Sequence, residues 1–345
     1  METGTRHDMN TDRFGLGVVI GKFLPPHRGH RHLIETALSR CERVIVIVCG
    51  KPVDPIPPEL RAGWLREMVP AAEVMLIDDR YDENDSRIWA ENTIQWLGRA
   101  PDAVFTSEDY GDRYASYMGC AHVQVDKSRV TIPCSGTAVR TDPLAMWNFI
   151  DPPVRGWFAK RVVIVGAEST GTTTLSMDLA AALQTSWVAE YGREYSEVKQ
   201  ARGETIWQSD EFIEIGREQT RREDLAARRA NRIVICDTNA FATVLWHRRY
   251  MGHDDESVCD IGTKCRADLY LLTGDEIPFV QDGLRDGEHI RHEMHGWFEE
   301  TLAGQSVPWH LLRGSREQRL TEALKIIRSR WLAVEEGLAP VPGGG

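Results

Sequence analysis

Short, almost wholly apolar runs alternate with longer amphipathic stretches along most of the chain. In the first half the runs Leu16–Ile20, Val44–Val48, Val74–Ile77 and Ala103–Thr106 have the length and β-branched content of buried strands. The stretches 30–40, Glu59–Met68 and Ser86–Gly98 between them carry apolar residues at helical spacing. In the second half Arg161–Val165, Trp187–Ala189, Ile233–Cys236, Leu269–Leu272 and Trp309–Leu312 read as strands, with helices between them. Strands that alternate with helices predict an α/β fold with doubly wound parallel sheets, which bind ligands beyond the carboxyl ends of their strands. The apolar stretch Leu144–Ile150 gives way to Asp151-Pro152-Pro153 before a fresh strand begins, which divides the pattern in two. The expected organisation is a leader over 1–13, a first domain over 14–150, a linker over 151–160, a second domain over 161–335 and a Pro/Gly-rich tail over 336–345. Leader and tail are expected to be disordered or frayed. No internal repeat relates the halves.

A length of 345 residues suits two domains, each with its own core. The net charge of −11 argues against a general nucleic-acid or membrane-surface binder, although a local basic pocket for an anionic substrate is compatible with it. No apolar stretch approaches membrane-spanning length, and the polar segment Met1–Arg13 is unlike a signal peptide. The seven cysteines form no CxxC pair, so reduced thiols in a cytoplasmic protein are expected. Cys259 and Cys265 lack partners at zinc-site spacing.

The chemistry concentrates first in Gly21–His30, GKFLPPHRGH, between a strand and a helix. His27 and His30, three apart, share a face at a helix start, where free amides and the positive dipole end favour an anion. Gly21 and Gly29 permit close backbone approach, Pro25-Pro26 stiffen the entry, and Lys22 adds a cation. A second cluster spans Lys127–Pro143, where Ser135, Thr137 and Arg140 meet at another helix start and can hold phosphate oxygens. Against these stand plain alternatives: surface histidines on a turn, and a capped helix with a surface arginine.

The first stretch resembles the GxFxPxHxGH signature of the nucleotidyltransferase superfamily, and CSGTAVR (134–140) resembles its ISxTxxR signature with Cys134 in place of isoleucine. Further stretches (59–68, 82–92, 106–111 and 146–150) resemble NadR-type nicotinamide mononucleotide (NMN) adenylyltransferases. That resemblance implies a Rossmann-like domain carrying out ATP + NMN → NAD + pyrophosphate. It implies transfer-step donors in His27, His30, Lys22 and Arg140. It further implies ATP contacts from Gly21, Phe23, Gly29, Glu108, Asp109, Arg129, Ser135 and Thr137, and NMN contacts from Trp89 and Arg61. A core aromatic is an equal alternative for Trp89. The phosphate of NMN is already a nucleophile, so the site must align two anions and stabilise developing charge, with Mg²⁺ shared by the ATP oxygens.

GAESTGTTT (166–174) lies between a strand and a helix, as a phosphate-binding loop should. Against G-x-x-x-x-G-K-[ST] it supplies Gly166, Gly171 and Thr173, the last as a Mg²⁺ ligand, but Thr172 occupies the lysine position. Backbone amides can still cradle a nucleotide. The stretches 187–195, 234–243, 246–252 and 278–287 resemble the ribosylnicotinamide kinase domain that follows the adenylyltransferase in NadR-type proteins. The resemblance implies kinase ATP contacts from Gly166, Gly171, Thr172, Thr173, Thr174 and Arg285. It implies riboside contacts from Glu190, Tyr191, Arg193 and Asp282, and a metal-linked or hydroxyl-activating carboxylate in Asp237. A helix cap is the alternative for Asp237. Lys160, Arg193 and Arg285 are candidate replacements for the absent lysine, since arginine can bind phosphate bidentately. His289, His292 and His295 read as a solvated helix face.

The expected protein is a cytoplasmic NAD-salvage enzyme with ATP, NMN, nicotinamide riboside and NAD as its small-molecule partners and Mg²⁺ as cofactor. It would have no nucleic-acid or membrane partner, and could form a homo-oligomer. Another small-substrate nucleotidyltransferase, or a nucleotide sensor with a degenerate kinase domain, are the alternatives.

Overall fold

The computed structural model describes residues 13–82, 84–283 and 285–332, so the expected tail and all of the expected leader but Arg13 lie outside the described residues. The chain divides into two α/β units, Met1–Val154 and Arg155–Gly345.

The first unit runs β1 (Phe14–Gly21), α1 (Arg28–Arg40), β2 (Cys41–Gly50), α2 (Pro58–Met68), β3 (Glu73–Asp78), α3 (Ser86–Leu97), β4 (Ala103–Thr106), α4 (Gly111–Met118), β5 (Ala121–Gln124) and α5 (Gly136–Thr141). Its sheet has the order β3-β2-β1-β4-β5, parallel throughout. The apolar centres of β1 and β2 are buried on both faces, which is why they read as continuous rather than alternating runs. Leu16, Val18, Ile45 and Ile47 form a core on which Ile77, Trp89 and Trp96 pack. Chain order reverses at β1, between β2 and β4, so the crevice for a ligand opens where GKFLPPHRGH leaves the sheet. β5 carries no legible strand signal: it is AHVQ, short and only half-buried at its centre.

The second unit runs α6 (Pro152–Phe158), β6 (Lys160–Val165), α7 (Thr172–Ala182), β7 (Trp187–Val188), α8 (Tyr191–Ala201), α9 (Ser209–Ala227), β8 (Ile233–Asp237), α10 (Ala240–Met251), α11 (Glu256–Lys264), β9 (Leu269–Thr273), α12 (Arg291–Ala303), β10 (Trp309–Leu312) and α13 (Arg316–Trp331), with α6 crossing the boundary. Its sheet, β10-β9-β6-β8-β7, is again parallel, with β6 at the centre. Val162, Ile164, Ile235, Leu269 and Leu271 fill the core against Leu175 and Leu179 of α7. The linker expected over 151–160 is instead mostly helix. Pro152 and Pro153 stand in the first turn of α6, where a missing N–H removes no helical hydrogen bond.

The histidine reading also needs correction. His289 lies in a 3₁₀ turn and His292 is exposed, but His295 is buried on α12, so the three do not share a solvated face. Among the described residues no helix is long and apolar enough to cross a membrane.

Candidate active sites

A cavity of about 800 Å³ opens at the carboxyl end of the first sheet, and Lys22, Phe23, His27, Gly29, His30, Trp89, Glu108, Arg129, Ser135, Thr137 and Arg140 all contribute to its wall. His27 is the N-cap of α1, where its Nδ1 accepts the Gly29 amide at 3.1 Å. A neutral imidazole that accepts at Nδ1 carries its proton on Nε2, which leaves that N–H to donate. The His27 and His30 rings stack with centroids 3.8 Å apart, and Phe23 meets His30 edge-on at 4.9 Å. Burial, with the Arg129 charge beside it, holds the His27 pKa down to about 4. Burial, His27 and Arg129 hold His30 well below the ordinary value. Both rings are neutral near pH 7. His30 Nδ1 is buried without a hydrogen-bond partner.

Gly29 is required by close approach: a Cβ there would stand 2.9 Å from His27 Cε1. Ser135 caps α5 through the Ala138 amide at 3.1 Å. Arg140 bonds Thr137 Oγ1 at 3.1 Å through Nη2 and the Leu24 carbonyl through Nη1, which ties the two motifs together. Arg129 reaches Glu108 at 3.2 Å.

Two expected contacts are not on this wall. Arg61 is completely buried and its guanidinium is spent on Asp54 at 2.5 Å and on the carbonyls of Ile56, Cys49 and Lys22. It ties the ends of β1 and β2 to the loop before α2. Asp109 is exposed and paired with Lys127. Trp89 does reach the wall, its Nε1 held by the Asp82 carbonyl at 2.9 Å, although it also packs on the core. Asp79, Cys49 and Tyr110 line the cavity as well and were not foreseen.

The second unit has its own cavity, of about 410 Å³, around the loop after β6. Gly171 adopts φ +87° and Ser169 φ +58°, left-handed conformations of the kind that anion-binding loops use. Thr170 is buried and bonds the Ala167 carbonyl at 2.7 Å and Thr273 at 2.7 Å, fixing the loop on β9. Gly166, Thr172, Thr173, Glu190, Arg193 and Arg285 reach the wall. Thr174, Tyr191 and Asp282 do not: Tyr191 lies under the Arg222 guanidinium, and Asp282 pairs with Arg193 at 2.8 Å.

Asp237, at the end of β8, is buried behind the wall, within reach of the Thr172 and Thr173 hydroxyls. The helix cap after that strand is Asn239, not Asp237. Burial pushes Asp237 above the ordinary carboxylate range, and burial plus Asp237 push Glu190 up as well.

Of the cations weighed against Thr172, Lys160 is excluded by position. It begins β6, at the end opposite the loop, and bonds Asp268 at 2.9 Å. Arg285 lies against the loop, with Nη1 2.6 Å from the Val280 carbonyl and 3.5 Å from Ser169 Oγ. Arg291 bonds the Ser169 carbonyl at 3.2 Å. Missed by sequence reasoning were Glu168, clamped by Arg249 at 2.8 Å, and the aromatic wall Trp207, Trp246 and Tyr250. Trp246 and Tyr250 are four apart on α10, a spacing that could have paired them on one helix face.

A cytidylyltransferase-like family model matches residues 18–142, and an AAA domain model matches residues 161–319. The trifunctional NAD biosynthesis/regulator protein NadR of Escherichia coli (strain K12) is 28% identical over 317 residues, covering 85% of this chain and 77% of that protein. Its Salmonella typhimurium counterpart is 27% identical over 339 residues, covering 91% and 82%. A solved NadR structure in complex with NR superposes with a TM-score of 0.78 at 22% identity, covering 95% of this chain and 99% of that one. Another, in complex with NAD and AMP-PNP, gives a TM-score of 0.75 at 23% identity, covering 94% and 98%.

Proposed function

We propose that this chain, a homologue of the NadR proteins along both of its α/β units, is a bifunctional enzyme of NAD synthesis. Its first unit transfers AMP from ATP to NMN, and its second phosphorylates nicotinamide riboside. The relatives are named NAD biosynthesis proteins, and the two solved homologues carry NR in one case and NAD with AMP-PNP in the other.

The observation that carries the first activity is the stacked, neutral His27–His30 pair at the start of α1, facing Arg129 and Arg140 across one cavity. Neutral imidazoles can donate hydrogen bonds to phosphate oxygens without changing charge during the reaction, while the arginines and Lys22 balance the triphosphate. The NMN phosphate attacks the α-phosphorus as pyrophosphate leaves, and no group on the protein needs to take a proton.

In the second unit the amides of 166–173 would hold the β-phosphate, and Asp237 or Glu190 would accept the riboside hydroxyl proton. Trp246, Tyr250 and Trp207 offer the flat apolar surface that an aromatic base requires. Arg285 supplies the cation that Thr172 does not. Asp237 Oδ1 is buried without a hydrogen-bond partner and stands beside Thr173, an oxygen pair that suits Mg²⁺ shared with substrate phosphates. When bound, that ion would neutralise phosphate charge. Among the described residues no group of three His, Cys, Asp or Glu side chains forms a protein-only metal cage.

Incubation of the protein with nicotinamide riboside, ATP and Mg²⁺, with products resolved by chromatography, tests both halves. NAD formation supports both activities. NAD only on addition of NMN refutes the kinase assignment, and no NAD from NMN refutes the first.

A further inference from the structure

Two parts of the second cavity's wall, the phosphate loop and the segment that carries Arg285, are joined through a side chain that does not reach the wall itself. Arg249 stands in the last turn of α10, and its side chain is 5% exposed. Its Nη1 donates to Glu168 Oε1 at 2.8 Å, and its Nη2 donates to the Asp286 carboxylate. The other oxygen of Glu168 accepts the Gly287 amide at 2.8 Å, so the phosphate loop also grips the far segment directly. Gly287 is required by this close approach: a Cβ there would stand 2.7 Å from both Arg249 Nη2 and Glu168 Oε2. Glu168, Arg285 and Asp286 line the cavity and Arg249 does not, so its charge is spent within the protein.

The junction brings two carboxylates together, and Arg249 is the cation between them. Without it Glu168 and Asp286 would repel across a partly desolvated contact, and the segment would swing away from the loop. Arg285 precedes this tie, and on its other side Asp282 accepts a hydrogen bond from Arg193 at 2.8 Å, so Arg285 lies between two anchored points. The Arg249 guanidinium also lies over the rings of Trp246 and Tyr250, 5.3 and 4.8 Å from their centroids, which fixes the fork from a third side. A planar guanidinium can hold two carboxylates and a ring face at once, whereas an ammonium is a single point of charge.

We propose that Arg249 is a positioning residue of the kinase site: with Glu168 it pins the phosphate loop to the segment of Arg285, and so holds the Arg285 guanidinium at the transferred phosphates. The inference rests on the kinase reading above and on Arg285 as the cation of that site. Arg249 touches no substrate, and its effect reaches the chemistry through Arg285. The two arginines therefore act as one unit, and their losses should not multiply.

The test is a double-mutant cycle in the full-length protein, read as kcat/KM for ATP-dependent phosphorylation of nicotinamide riboside. Arg249→Met should lower it about tenfold or more in the wild-type background, but no more than about threefold in Arg285→Ala. Arg249→Lys, which keeps the charge and loses the fork, should retain more activity than Arg249→Met. Thermal unfolding reports whether each variant folds, and if Arg249→Met does not, the same cycle is run with Gly287→Ala, which wedges the junction from the other side. Wild-type kinase kcat/KM in a folded Arg249→Met would overturn the proposal. So would losses that multiply in the double variant, which would assign Arg249 to the packing of α10. Wild-type kcat/KM in Arg285→Ala would overturn it by removing Arg285 from the site, and absence of NMN formation by wild type would instead remove the kinase reading itself.

Discussion

Replacing Arg285 by alanine should cripple riboside phosphorylation while leaving adenylyl transfer intact. The guanidinium lies on the cavity wall, partly buried, with one nitrogen on the Val280 carbonyl and near Ser169 of the phosphate loop. Thr172 stands where a phosphate-binding lysine would, and its short side chain turns to Asp237 instead. A charged hydrogen bond of this kind is worth roughly 1.5–3 kcal/mol, so Arg285→Ala should lower kinase kcat/KM by roughly 10- to 150-fold. Thr172→Lys in the Arg285→Ala background should recover at least about tenfold, because a lysine there reaches the same oxygens from the loop. In the wild-type background the gain should be smaller, and that shortfall is the coupling energy of a double-mutant cycle. The assay is ATP-dependent conversion of nicotinamide riboside to NMN, with thermal unfolding of the variant to show that the second unit folds and NMN-to-NAD conversion to show that adenylyl transfer is untouched. Wild-type kinase kcat/KM in a folded Arg285→Ala protein would refute the reasoning. So would identical effects of Thr172→Lys in both backgrounds.

His30→Ala should lower NAD formation from NMN by roughly 10²–10³-fold, the scale of one lost transition-state donor; near wild-type turnover would end its assignment. Gly29→Ala places a methyl 2.9 Å from the His27 ring and 3.0 Å from its Nδ1, so adenylyl transfer should fall about tenfold or more with circular dichroism unchanged. Because the His27 pKa falls from 6.5 to about 4 on folding, the unfolded chain takes up the proton first as pH drops; its contribution to stability is present above pH 6.5 and lost as pH falls towards 4. Denaturant unfolding should show a loss between pH 7 and pH 5 that is roughly 2 kcal/mol smaller in His27→Gln than in wild type. Burial raises both Glu190 and Asp237, so kinase kcat/KM should climb with pH through a midpoint above the usual carboxylate value of about 4; the limb should vanish in whichever of Glu190→Gln and Asp237→Asn removes the base, and a profile flat from pH 4 to 9 would refute both assignments.

The sheets were legible in the sequence because their centres are buried on both faces, which forces uninterrupted apolar runs such as VVIVG before the phosphate loop and RVIVIVCG in β2. β5 was not, since a half-exposed edge strand needs no such run. The helix starts at His27 and Ser135 were legible from residue types that cap a helix. Arg61, an NMN contact on the resemblance alone, gave no sign in the sequence that the fold buries it and binds its guanidinium to three carbonyls near the ends of two strands. Asp79 was missed as well. Nothing in the sequence distinguishes it from the exposed Asp78 beside it, and only the sheet order puts it on a cavity wall.

The two cavities differ as their proposed reactions differ. A phosphate acceptor arrives as an anion and already nucleophilic, so its site needs cations and neutral donors. The histidine motif meets that need with two imidazoles whose burial keeps them uncharged, beside Lys22, Arg129 and Arg140. A hydroxyl acceptor arrives with a proton to lose, so its site needs a base of raised basicity. Glu190 and Asp237, each pushed upward by burial, stand where β7 and β8 end and have no counterpart beside His27 and His30.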